Sequence, residues 1–193
     1  MTDRQKVYRK VLKTLKEQLQ MSHQGHVVTL AMMISGIVLS RKAQLAVMSE
    51  EVPGAVKDQS IEMRMRRWVK HGDIDVEVTY MPFAQQILLS LADSPLVLAM
   101  DGSQVGRGCM VLMVGVVYRS RLLPLAWVVY PGQKGHTTAA RHIEVLEKVL
   151  PLLPENAEVV LLGDAEYDTT EMLAWVQDGA LLGGVDALAL EHG

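Results

Sequence analysis

The chain has 193 residues and a mass of 21.3 kDa, a length typical of one domain or of a small domain joined to a second. Apolar residues make up 49% and charged residues 21%, which excludes a largely disordered chain, and the single cysteine, Cys109, excludes an intrachain disulfide. Residues 1–70 hold 13 Lys and Arg against 6 Asp and Glu, whereas residues 71–193 hold 6 against 16. This asymmetry predicts a module that binds a polyanion, followed by one that is rich in carboxylates. The alternative is that the basic helices are only solvated and bind nothing.

The first half of the chain has the apolar periodicity of helices. Ile74–Tyr80 alternates like a strand but leads into an apparent helix over Pro82–Leu91, so strand and helix both remain open there. The longest apolar stretch is shorter than the roughly 20 residues that span a bilayer, which predicts a buried helix and no membrane partner. The other predicted helices are a basic amphipathic helix within Met1–Gln20, this buried helix over Val27–Leu39, a third over about Ala43–Glu51, and a fourth over Ile61–His71 with Ser60 as its N-cap.

The second half predicts a sheet. Leu96–Met100 is a short buried strand that ends in Asp101-Gly102-Ser103, and Cys109–Tyr118 and Leu122–Tyr130 form a hairpin. A helix capped near Thr137 or Thr138 follows, and then a buried strand over Glu158–Gly163. Consecutive strands tend to pair antiparallel, and a strand reached through a helix tends to lie parallel to its partner. The pattern therefore predicts a mixed sheet with helices against it.

Two aspartates stand where apolar strands end, Asp101 after the first strand and Asp164 after the last. If these two strands are neighbours in the sheet, their carboxylates lie close enough to share a divalent ion, since Mg²⁺ prefers oxygen ligands and a cation neutralises two like charges. Such a site can activate water and stabilise the leaving oxygen of a phosphodiester. The alternative is that each aspartate is a turn or cap residue. Asp168 is explained by a capping box with Glu171.

Four blocks of sequence carry a resemblance to a known family. They are Val97–Cys109 with Asp101, Val117–Val129, Gly135-His136, and Val159–Asp168 with Asp164. In this order and separation they resemble a DDE transposase of the insertion-sequence-four type, which has an RNase H-like catalytic domain. The resemblance covers roughly residues 30–178.

The resemblance implies that Asp101 and Asp164 are catalytic residues and the first two members of an acidic triad that binds Mg²⁺ or Mn²⁺. It implies double-stranded DNA as the partner, both as transposon ends and as target, a homodimer where the full-length form assembles, and a cytoplasmic, nucleoid-associated location. The basic helical front would help to hold the DNA. Lys134 lies in a predicted loop where it can touch a phosphate, and a loop that is only solvated is the alternative. The predicted DNA-binding residues are Arg41, Lys42, Arg64, Arg66, Arg67, Lys70 and Lys134.

Taken together, the sequence predicts an α/β chain with an RNase H-like mixed sheet and flanking helices, preceded by an all-helical region. The predicted divisions are a basic DNA-binding region over 1–93, a partial catalytic domain over 94–178 and a divergent tail over 179–193. No glutamate matches the third-acid motif of the family, and Glu191 is too close to the second aspartate. We therefore expect an incomplete, inactive copy of the transposase. A DNA-binding fragment that competes for transposon ends and a small RNase H-like metal nuclease are the alternatives.

Overall fold

The computed structural model describes residues 1–19, 21, 23–54, 57–72, 74–133, 135, 137–155, 157–163 and 170–175. The chain divides into two compact units, Met1–Pro82 and Phe83–Gly193, which we call unit 1 and unit 2. In the described part of the chain, no helix is both long enough and apolar enough to cross a bilayer.

Unit 1 contains five helices, and a sixth begins at its end. Helix α1 starts with a capping box, in which Thr2 accepts a hydrogen bond from the Gln5 amide and the Gln5 side chain accepts one from the Thr2 amide. Helix α2 ends at Ser40, and its C-cap residue, Arg41, adopts a left-handed conformation with φ of 57°. The helices are α1 (Asp3–Gln18), α2 (Gln24–Ser40), α3 (Leu45–Glu50), α4 (Asp58–Val69), α5 (Val76–Thr79) and α6 (Met81–Leu91).

A small aliphatic core joins α2, α3 and α4. Met48, Val52, Ile61 and Met65 are buried in it. The partly buried side chains of Met32, Met33 and Leu45 pack against this cluster. Methionine suits such a core because its unbranched side chain fills irregular gaps between helices.

In unit 1 the structure corrects one predicted helix start and decides between strand and helix at another segment. Helix α4 begins at Asp58 and has Lys57 as its N-cap, so the predicted Ser60 cap is wrong. Asp58 places a negative charge in the first turn, where the helix dipole favours negative charge. The stretch with strand-like alternation forms α5, because the Asp75 carboxylate accepts a hydrogen bond from the Glu77 amide and caps a single helical turn.

The described residues of unit 2 form a four-stranded mixed sheet with helices. Its elements are β1 (Leu96–Gly106), β2 (Cys109–Tyr118), β3 (Arg121–Pro131), α7 (Ala139–Val149), a short 3₁₀ turn over Leu150–Leu152, β4 (Val159–Leu162) and α8 (Thr170–Trp175). The strand order is β3-β2-β1-β4. The first three strands pair antiparallel, and β4 pairs parallel to β1 after the α7 crossover. The prediction of an α/β chain with helices followed by a mixed sheet is confirmed.

Burial alternates along the strands, as expected for a sheet with one face against a helix. Leu96, Leu98 and Met100 of β1 are buried, and β2 shows the same period of two. Helix α7 packs against β2 and β3 through a face that includes the fully buried side chains of His142 and Val145. The turn between β1 and β2 has positive φ at Arg107 (53°) and Gly108 (71°), which matches the right-handed twist of the two strands.

Candidate active site and basic surface

Asp101 lies inside β1, not at its end. The strand continues to Gly106 because β2 remains paired with it, with Asp101 opposite Met113 and the ladder reaching Gly106 opposite Cys109. The prediction that this strand ends at Asp101 is therefore wrong. Asp101 is exposed, and its Oδ2 accepts a hydrogen bond from Ser103 Oγ at 3.2 Å. This contact restrains the carboxylate on the surface of the strand.

The strand on the other side of β1 is β4, so the first and last described strands of the sheet are neighbours, which is the condition that a shared cation site requires. Their parallel ladder runs from Leu96 opposite Val159 to Ala99 opposite Leu162. Ala99 is two residues before Asp101, and Leu162 is two residues before Asp164. Asp164 lies outside the described residues, as does Asp168. Asp101 therefore lies just past the described part of the ladder that pairs β1 with β4.

The structure describes some of the side chains that could bind a cation at this site. Among the residues that the structure describes, no group of three or more His, Cys, Asp or Glu side chains could hold a metal ion. The described contribution is the Asp101 carboxylate together with the Ser103 hydroxyl, both oxygen donors of the kind that hard divalent cations prefer. A metal site at this edge of the sheet requires a further carboxylate, and Asp164 is the residue predicted to supply it.

Ser103 was not singled out in the sequence. Its signal is the two-residue spacing from Asp101, because alternate residues of a strand point to the same face. That spacing is informative only if the strand continues through both residues. A Gly and a Ser directly after an apolar run are more typical of the end of a strand, which is where the sequence predicts that this strand ends.

The predicted DNA-binding residues occupy different local environments. Arg41 and Lys42 are exposed at the end of α2. Lys134 lies outside the described residues. The remaining four are Arg64, Arg66, Arg67 and Lys70, on α4 or at its C-cap.

Arg64 and Arg66 already make side-chain contacts within unit 1. Arg64 is only partly exposed, and its Nε donates to Thr29 Oγ1 at 2.8 Å, so its guanidinium joins α4 to α2. Arg66 forms an ion pair with Glu62 one turn earlier at 2.6 Å. Exposed pairs of this kind contribute little to stability, so Arg66 can exchange its partner for a phosphate at low cost. Arg67 and Lys70 are exposed at the end of the helix.

Comparisons with known proteins add no family. No protein-family model matches the chain, and no curated protein matches it.

Proposed function

We propose that this chain is an incomplete and inactive copy of a DNA transposase of the DDE type, with an RNase H-like catalytic domain of the class that acts on DNA by metal-dependent phosphoryl transfer. The observation that carries the proposal is the parallel pairing of β1 with β4, the two strands whose sequences lead to Asp101 and Asp164. The carboxyl end of β4 is level with Ala99 of β1, two residues before Asp101, and ligand sites of α/β proteins commonly form beyond the carboxyl ends of parallel strands.

In the proposed mechanism, Asp101 and Asp164 hold the cation, and Ser103 orients the Asp101 carboxylate through its hydrogen bond. Mg²⁺ or Mn²⁺, when bound there, supplies the charge that activates an attacking water and stabilises the leaving oxygen of a phosphodiester. The two carboxylates also need the cation, since like charges at close range oppose each other's ionisation.

The resemblance implies a third acid that no glutamate of these 193 residues matches. Placement errors of about 1 Å can cost on the order of 10²-fold in rate, and a missing ligand is a larger defect. We therefore expect this polypeptide alone to bind the cation weakly and to show negligible strand transfer. Robust metal-dependent cleavage that is lost in Asp101→Asn would contradict this expectation of inactivity.

The proposed metal site is tested by titrating Mn²⁺ into the protein and following binding by calorimetry. We expect Asp101→Asn and Asp164→Asn each to weaken binding by about tenfold or more, since each removes a charged ligand. Asp93→Asn is the matched control, because Asp93 is an exposed aspartate that precedes β1 and should leave affinity unchanged. Equal affinities for the parent and Asp101→Asn would refute the site.

A second candidate function is DNA binding without catalysis, in which the chain occupies transposon ends and competes with a complete enzyme. It is favoured by the exposed cations at the ends of α2 and α4 in unit 1. Salt-dependent DNA binding together with a failure to bind Mn²⁺ would select this candidate, since phosphate neutralisation needs no metal.

A further inference from the structure

Unit 1 contains a cavity of about 760 Å³, which lies within the size range of small-ligand sites. It is lined by the start of α2, the end of α4 and residues of α5. The lining residues that matter here are His26, Thr29, Arg64, Arg67, Trp68 and His71. All of them belong to unit 1, whereas Asp101 belongs to unit 2.

The cationic groups of the cavity favour an anion. Arg64 is held in place by hydrogen bonds from Nε to Thr29 Oγ1 at 2.8 Å and from Nη2 to the Gly25 carbonyl at 3.2 Å. Arg67 adds a second guanidinium, and its Nε donates to the Met63 carbonyl at 3.3 Å. The first turn of α2 presents the positive end of the helix dipole, and its N-cap, His23, makes no side-chain capping bond.

One carboxylate offsets part of this charge. Asp75 also lines the cavity, but its Oδ1 accepts a hydrogen bond from the Glu77 amide at 2.8 Å and so caps α5. A carboxylate engaged in this way competes less well for the arginines. Two guanidiniums and a helix N-terminus are the groups that commonly bind phosphate.

The same cavity offers flat rings. His26 lies edge-on to His71, with ring centroids 4.8 Å apart, and Trp68 contributes its indole. Aromatic side chains beside cations suit a planar base attached to a phosphate.

We propose that this cavity binds a nucleoside phosphate, with the phosphate near Arg64, Arg67 and the start of α2 and the base against Trp68. The ligand is either a free nucleotide or one nucleotide of a single strand, which share this chemistry. The volume exceeds what a bare phosphate would fill, and the aromatic wall would have no role in binding one. The proposed metal chemistry is not needed for this inference, so either can fail alone.

Gly25 allows a test that removes no existing contact. It lines the cavity, and a Cβ added there meets no atom within 4 Å. Gly25→Glu places a negative charge at the cavity and is compatible with the first turn of a helix, whereas Gly25→Gln has nearly the same shape and no charge. With ADP as the probe, we expect Gly25→Glu to raise the Kd by about tenfold or more and Gly25→Gln to change it by less than about threefold.

Arg67→Gln is a second variant and should also weaken ADP binding by about tenfold, since it removes a charged donor at an exposed position. Circular dichroism checks that each variant is folded like the parent. Failure of the parent to bind ADP, or equal affinities for Gly25→Glu and Gly25→Gln, would overturn the proposal. Inorganic phosphate that binds as tightly as ADP would also overturn it, because the aromatic wall would then contribute nothing.

A competition experiment identifies the source of the nucleotide. An eight-nucleotide single-stranded oligodeoxynucleotide that displaces ADP from the parent, but binds Gly25→Glu weakly, supports the site as one that holds a nucleotide of a strand. An oligonucleotide that binds without displacing ADP supports a site for free nucleotides.

Discussion

His142 shows how the position of a single side chain affects stability. It lies on α7 with its side chain fully buried, and burial lowers the pKa of its imidazole below the ordinary value of 6.5 because the charged form loses its hydration. The unfolded chain therefore binds a proton more readily than the folded chain. Stability from this difference is present above pH 6.5 and is lost as the pH falls below that value toward the lower pKa of the folded state.

We predict that the Tm of the parent falls more steeply between pH 7.5 and pH 5.5 than the Tm of His142→Leu, which has no imidazole at this position. His23→Leu is the matched control, because His23 is exposed in the described structure. Its pH dependence should match that of the parent. The measurement is thermal unfolding followed by circular dichroism at several pH values, and identical slopes for the parent and His142→Leu would contradict the prediction.

At the scale of elements, the contact between α2 and α3 depends on one glycine. A Cβ added at Gly36 would lie 2.7 Å from the carbonyl oxygen of Met48 and 2.8 Å from its Cβ, and Met48 is fully buried. Gly36→Ala improves helix propensity by about 1 kcal/mol but forces the two helices apart, and overpacking of this kind costs about 1–3 kcal/mol. We predict a net loss in the free energy of unfolding of up to about 2 kcal/mol, measured by urea denaturation.

The matched control for Gly36→Ala lies on the same helix. A Cβ at Gly25 meets nothing within 4 Å, so Gly25→Ala should leave stability unchanged or raise it by up to about 1 kcal/mol. If both substitutions had the same effect, the close approach of α2 and α3 at Met48 would not explain the glycine at 36.

Much of the element order could be predicted from the sequence because it depends on local patterns. The three antiparallel strands, the α7 crossover and the parallel β4 follow from apolar runs, turn residues and the rule that crossovers join parallel strands. The length of β1 could not be predicted. Its second half, from Asp101 to Gly106, has the composition of a loop and is a strand only because β2 pairs with it, which is a tertiary effect.

The candidate site, like the fold, could be predicted from the sequence only in part. The position of Asp101 after a buried run indicates a candidate ligand, whereas the adjacency of β1 and β4 is a condition that the sequence leaves open and the structure supplies. The contact of Ser103 with Asp101 and that of Arg64 with Thr29 could not be predicted, because each depends on the register or packing of elements. The second contact joins residues 35 positions apart in the chain.

At the scale of the whole molecule, charge is distributed unevenly along the chain. Residues 1–70 carry 13 of the 19 Lys and Arg, and residues 71–193 carry 16 of the 22 Asp and Glu. If net charge alone governed the approach to DNA, a cation removed from either half would have the same effect. If unit 1 makes the contacts with phosphates, as the proposed function requires, only cations of unit 1 will affect the salt dependence of binding.

Two matched double variants distinguish these cases. Arg41 and Arg119 are both exposed, and both have a left-handed backbone conformation with φ of 57°. Each is followed by a second exposed cation, Lys42 after Arg41 and Arg121 after Arg119. Asparagine tolerates this backbone conformation, so we choose Arg41→Asn/Lys42→Gln in unit 1 and Arg119→Asn/Arg121→Gln in unit 2. Each pair removes two positive charges and leaves both turns able to form.

We predict that Arg41→Asn/Lys42→Gln makes the slope of log Kobs against log salt shallower by about 2, since each phosphate contact contributes about 0.9. The unit 2 pair should leave this slope unchanged. The readout is the fluorescence anisotropy of a labelled duplex, titrated with protein at salt concentrations between about 50 and 200 mM. Equal slopes for the two pairs would mean that DNA responds to the net charge of the chain, and the basic helical region would then have no specific part in binding it.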